Sequence, residues 1–139
     1  MARTSVPHRG CLIFLVVLLV GCSGTSRATT TGAPPSADLV VTMSEWRFAP
    51  QNGRIAAGAP AILELRNTGT VPHDWTLVDG LVESESDLGD VEIVASLEVN
   101  PGGVSQIQVP ALEPGVYDVV CAIPGHIANG MLGTLTISG

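Results

Sequence analysis

Apolar and polar residues alternate with a period of two along much of the chain beyond residue 37, which predicts strands rather than helices. Across residues 61–66, Leu63 and Leu65 point one way while Glu64 and Arg66 point the other. Residues 39–43 place Leu39, Val41 and Met43 on one face. After a turn at Asn67-Thr68-Gly69-Thr70, His73, Trp75 and Leu77 share a face opposite Asp74, Thr76 and Val78. Residues 105–109 alternate again. The turn Glu113-Pro114-Gly115 introduces a strand over 116–121, and 133–138 closes the chain with Leu135 and Ile137 facing inward. The acidic stretch 81–97 breaks the rhythm and is expected to hold a short helix or a long loop. About seven short strands separated by Gly, Pro and Asn predict an all-β domain, an antiparallel Greek-key sandwich or barrel. Trp46, Phe48 and Trp75 are expected in its core, as is Met43, and Tyr117 shares the parity of Cys121.

The start of the chain reads differently. Arg3, His8 and Arg9 precede an unbroken apolar run, 11–21. A spanning helix needs about 20 residues, so this run suits the hydrophobic part of a secretory signal. It ends in Leu19-Val20-Gly21-Cys22, which resembles the bacterial lipobox, where cleavage falls before the cysteine and its thiol takes lipid. Residues 1–21 are therefore expected to leave as a signal peptide, with Cys22 lipidated. Residues 22–36, almost all Ser, Thr, Gly, Ala and Pro, would act as a flexible tether ahead of a domain at 37–139. The expected location is the outer face of the cytoplasmic membrane, held by lipid alone.

Those expectations change the cysteine and charge arithmetic. Cys121 becomes the one free thiol of the exported body, where no internal disulfide can form. In an oxidising compartment a metal is the usual protector of such a thiol. The formal charge of −7 drops to −9 without Arg3 and Arg9, because four arginines then face thirteen acids and there is no lysine. Nucleic acid is excluded as a partner, since phosphate binding needs a basic face. Glu83, Glu85, Asp87, Asp90, Glu92 and Glu98 form either a solvated loop or a docking patch for a basic redox partner such as a cytochrome.

The two histidines of the body, its one cysteine and one of its two methionines fall in just two places, Pro72-His73-Asp74 and CAIPGHIANGM at 121–131. One thiolate, two imidazoles and a weak thioether form a set that both copper oxidation states tolerate, as a one-electron carrier requires. Zinc also takes thiolate and imidazole, although methionine is a poor ligand for it. Cys121 ends a strand, Pro124-Gly125 turns the chain to bring His126 back beside the sulfur, and Met131 shares the inward parity of Leu135 and Ile137. His73 would approach from another strand.

With these residues the sequence resembles the cupredoxins, the family of plastocyanin, azurin and auracyanin. Cys-x4-His-x4-Met resembles the azurin and auracyanin ligand loop, and Pro72-His73 resembles the plastocyanin presentation of the first ligand. The flanks are similar too, at Trp46-Arg47-Phe48-Ala49-Pro50, Asn67-Thr68-Gly69, Pro114-Gly115-Val116-Tyr117 and Gly130-Met131-Leu132-Gly133-Thr134-Leu135. The resemblance implies one type 1 copper held by His73, Cys121, His126 and Met131, surrounded by Pro72, Asp74, Pro124 and Gly125. It also implies that electrons pass through His126 within an apolar patch of Pro72, Ile123, Pro124, Ile127 and Ala128. The family commonly has Asn or Ser after the first histidine, tying the two ligand loops together; Asp74 departs from this, and an ionised carboxylate there would favour Cu(II) and lower the potential.

The implied function is electron transfer, not catalysis. Copper oxidases and nitrite reductases need further copper centres, and no spare histidine remains to build one. A copper-delivery or storage protein using the same ligands is the alternative, and a metal-free adhesive sandwich is more distant.

Overall fold

A computed structural model of the chain describes residues 35–139. The expected signal peptide, the Cys22 lipid site and nearly all of the tether lie outside the described residues.

Nine strands follow one another: β1 Leu39–Ser44, β2 Arg47–Ala49, β3 Asn52–Ala56, β4 Ala61–Asn67, β5 His73–Asp79, β6 Glu92–Val99, β7 Val104–Val109, β8 Gly115–Val120 and β9 Leu132–Ser138. They build two sheets, ordered β2-β1-β4-β7 and β3-β9-β8-β5-β6. The all-β sandwich is as expected, and five of the seven strand pairings are antiparallel. The β1–β4 and β3–β9 pairings are parallel, which corrects the purely antiparallel expectation. Parallel neighbours cannot be joined by a tight hairpin, so local sequence gives no sign of them. Among the described residues no helix is long and apolar enough to cross a membrane.

Alternation decides what fills the sandwich. Val41, Met43, Leu63 and Leu65 from one sheet meet Trp75, Leu77, Val119, Leu135 and Ile137 from the other, all buried. Arg66 and Glu64 point away from this core and pair with each other at 2.6 Å. Tyr117 packs partly against the core while its hydroxyl donates to the Glu113 carbonyl at 3.2 Å.

β5 is buried on both faces, because it lies between β8 and β6 and its outer side is also covered. The cover comes from the acidic stretch. Residues Glu85–Gly89 form a single 3-10 turn, and Val82, Leu88 and Val91 close over Val78, Val120 and Ile127 as a second small core. The rest of that stretch is β6, an edge strand with mixed exposure, so its sequence lacks clean alternation.

Candidate metal centre

At one end of the sandwich His73 opens β5, and Cys121 follows directly on the last residue of β8. These two strands are paired, with Thr76 opposite Val120. Beyond Cys121 the chain runs through consecutive tight turns. The His126 N–H donates to the Ile123 carbonyl at 3.0 Å, with Pro124 and Gly125 between them and Gly125 at φ 87°. Proline followed by a positive-φ glycine is the signature of a type II turn, and it swings His126 back toward the sulfur. Further bonds join Gly130 N to Ile127 O at 2.8 Å and Met131 N to His126 O at 3.0 Å. Cys121 N donates to Met131 O at 3.2 Å and closes the loop on itself.

The result is a convergence of donors. Cys121 Sγ lies 3.0 Å from His126 Nδ1, and the Nδ1 atoms of His73 and His126 are 3.3 Å apart. The donor atoms of His73, Cys121 and His126 all fall within 4.8 Å of one another. His73 and Cys121 are wholly buried and His126 is 7% exposed. Met131 is buried as well, its main chain bonded to both Cys121 and His126.

The electrostatics suit a cation. Burial, and then the neighbouring His126, hold the His73 imidazole below its ordinary pKa, which favours the neutral ring that can act as a ligand. Burial pushes the Cys121 thiol up to about 11, although the N–H groups of Asp74 and Ile123 draw it down. Without metal this centre thus holds a protonated thiol beside the neutral His73 ring, and a cation entering it would displace the thiol proton. One soft sulfur, two imidazole nitrogens and an adjacent thioether fit copper better than zinc, calcium or magnesium.

Asp74 ties the two ligand segments together. Its carboxylate accepts the Ala122 N–H at 2.8 Å and the Thr76 hydroxyl at 3.0 Å, while its own N–H donates to Cys121 Sγ at 3.3 Å. Burial raises its pKa, opposed by those hydrogen bonds. Pro72 and Pro124 lie exposed, just ahead of His73 and His126 in the chain.

Two features of the site depart from the sequence expectations. Trp46 is not a core residue. It is 38% exposed, and its ring stands edge-on to His126, with centroids 4.7 Å apart, and to His73 at 6.4 Å. Ile127, expected in the surface patch, is buried in the second core instead, because the type II turn directs it toward Val78 and Val120. The surface around the imidazoles is therefore Pro72, Pro124, Ala128 and Trp46, with Ile123 half-buried.

Trp46 and Glu45 are the two residues between β1 and β2, in a hairpin that pairs Ser44 with Arg47. The hairpin tip sits over the metal centre, and nothing in the local sequence signals this. Glu85 lies in the acidic run of the sequence, and its carboxylate accepts the N–H of Gly125 in the loop 121–131. Asp87 is also occupied, accepting the N–H groups of Glu83 and Ser84.

The fold has known counterparts. The auracyanin of the photosynthetic bacterium Roseiflexus castenholzii, in its dithionite-reduced form, superposes with a TM-score of 0.64 at 22% identity, covering 76% of this chain and all of that one. Auracyanin B gives 0.62 at 20% identity over 77% and 94% of the two chains. Auracyanin A, a "blue" copper protein from Chloroflexus aurantiacus, gives 0.56 at 22% identity over 70% and 98%. No curated protein matches the chain in sequence. The model of the cupredoxin-like domain family, in contrast, matches residues 11–137. By that match, on a fold shared with the auracyanins, the chain belongs to the cupredoxin-like family.

Proposed function

We propose that this protein is a one-copper electron carrier, with His73, Cys121 and His126 as the main ligands and Met131 as the weak axial one. The observation that carries this reading is the convergence of Cys121 Sγ and one ring nitrogen from each of His73 and His126, all within 4.8 Å of one another in a buried position. The auracyanin fold supports it.

Copper, when bound, supplies reversible one-electron exchange. The protein's share is to keep its ligands from moving as the charge changes. Cys121 is fixed by β8, by the Asp74 N–H and by its bond to Met131 O. His126 is fixed by the turn and by contact with Trp46. Such rigidity suits repeated electron exchange and argues against ready metal release, which a delivery protein would need.

His126 and Trp46 provide the route between the buried centre and solvent, among Pro72, Pro124 and Ala128. A redox partner docks there briefly, and a small contact suits that exchange. Glu83, Asp90, Glu92 and Glu98 remain exposed to attract a basic partner. Lipidation at Cys22 would hold the carrier on the outer face of the membrane.

Adding Cu(II) to the metal-free protein tests the reading. An intense blue thiolate-to-copper band should appear, bleach with ascorbate, return with an oxidant, and be absent in Cys121→Ser. A colourless complex in the unsubstituted protein would overturn the assignment.

A further inference from the structure

His73 presents Nδ1 to the metal centre and turns Nε2 away from it. That nitrogen is buried without a hydrogen-bond partner, the one such side-chain atom among the described residues. A ligand imidazole that binds metal through one nitrogen carries its proton on the other. Metal-bound histidines almost always give that proton to an acceptor, commonly a carboxylate.

A carboxylate stands close by. A Cβ added to Gly69 would lie 2.8 and 2.9 Å from the two Glu45 carboxylate oxygens and 2.9 Å from His73 Nε2. Glu45 and the bare ring nitrogen therefore flank one point, which is clear because residue 69 has no side chain. Glu45 is held there, since its Oε1 accepts both the N–H and the hydroxyl of Thr70. Thr70 engages only Oε1, which leaves Oε2 free of Thr70.

Resting on the copper reading above, we propose that Glu45 is the outer partner of His73. Its carboxylate accepts the Nε2–H, directly or through one water, and makes His73 a stronger donor to the metal. Gly69 is the gap that permits this contact. Glu45 is a positioning residue: it touches no metal and acts through the imidazole. A negative charge shared with His73 favours the higher oxidation state, so Glu45 lowers the potential. The β1–β2 hairpin thus supplies two controls on one centre, Trp46 against His126 and Glu45 against His73.

The test uses the whole protein as Glu45→Gln, Glu45→Asp and Gly69→Ala. Competition titrations of the metal-free forms with Co(II) and Cu(II) give affinities. Voltammetry gives the potential, and proton NMR of the zinc-loaded forms follows the His73 Nε2–H. Glu45→Gln and Gly69→Ala should bind Cu(II) about tenfold more weakly. If Cu(I) binding is unaffected, that tenfold change raises the potential by about 59 mV. The Nε2–H should exchange faster with solvent in both, and Glu45→Asp should recover part of each effect. A purely structural role for Glu45 would change thermal stability and leave exchange and potential alone. If the unsubstituted protein turns blue but Glu45→Gln keeps its affinity, potential and exchange rate within twofold, this inference falls and the copper reading stands. If the unsubstituted protein binds no copper, both fall.

Discussion

Asp74 and Cys121 hold each other in place from both directions. The Asp74 N–H donates to the sulfur at 3.3 Å, and the Asp74 carboxylate accepts the N–H of Ala122, the next residue after the cysteine, at 2.8 Å. An asparagine could keep the second bond through its carbonyl oxygen while removing the charge. Asp74→Asn should therefore keep the blue site and raise its potential. Because burial raises the Asp74 pKa, the unsubstituted potential should climb as acid neutralises the carboxylate. The variant's potential should stay flat over the same range. Voltammetry from pH 4 to 8 decides this, and equal potentials throughout would remove Asp74 from the account. Asp74→Ala should cost about 1–3 kcal/mol in denaturant unfolding by leaving the Ala122 N–H unpaired.

Trp46 packs against both imidazoles while remaining 38% exposed. Removing it should barely change the fold, because the ring lies outside the core. Trp46→Ala should lose copper to a strong chelator several-fold faster and admit azide to the site, whereas Trp46→Phe should behave almost like the parent. Stopped-flow chelation measures this, and equal rates for all three proteins would show that the ring shields nothing.

The Cys121 thiol should be inert in the metal-free protein. With its pKa at about 11, rather than the 9.0 of an exposed thiol, the thiolate fraction at pH 8 is roughly 100-fold smaller. Burial slows attack further. Alkylation by iodoacetamide followed by mass spectrometry should thus be slow at pH 8 and speed up toward pH 10. Copper uptake should release the thiol proton and strengthen as pH rises.

Glu45 makes a distinct contribution in acid. Its hydrogen bonds from the Thr70 N–H, its own N–H and the Thr70 hydroxyl lower its pKa from 4.5 to about 2. A carboxylate with a depressed folded pKa stabilises the fold above the unfolded value and loses that contribution as pH falls through the folded one. Between about pH 4.5 and 2 the metal-free protein should lose stability more steeply than Glu45→Gln. Urea midpoints across that range check it, and parallel curves would contradict it.

The exposed acids of 83–98 should matter to rate more than to folding. Electron exchange with a basic cytochrome should slow as salt rises from 10 to 200 mM, and slow further in Glu83→Gln/Glu92→Gln. A salt-independent rate would dismiss the docking patch. Glu85→Gln should act differently, loosening the ligand loop by weakening the hold on the Gly125 N–H.

The sequence by itself determined the strands at 39–43, 61–66, 73–78, 105–109, 116–121 and 133–138, because a two-residue period and the turn residues that bound it are local properties of the chain. It also marked out His73, Cys121, His126 and Met131, three of which are bound into one loop by spacing that short-range turns can close. Only the tertiary structure decided how separate stretches meet. The parallel β1–β4 and β3–β9 pairings, the edge strand β6 and the second core over β5 depend on contacts between distant segments. So do the seats of Trp46 on His126 and Glu45 beside His73: a hairpin tip reads the same in sequence whether it faces water or a buried imidazole, and the neighbour it meets is set by sheet packing.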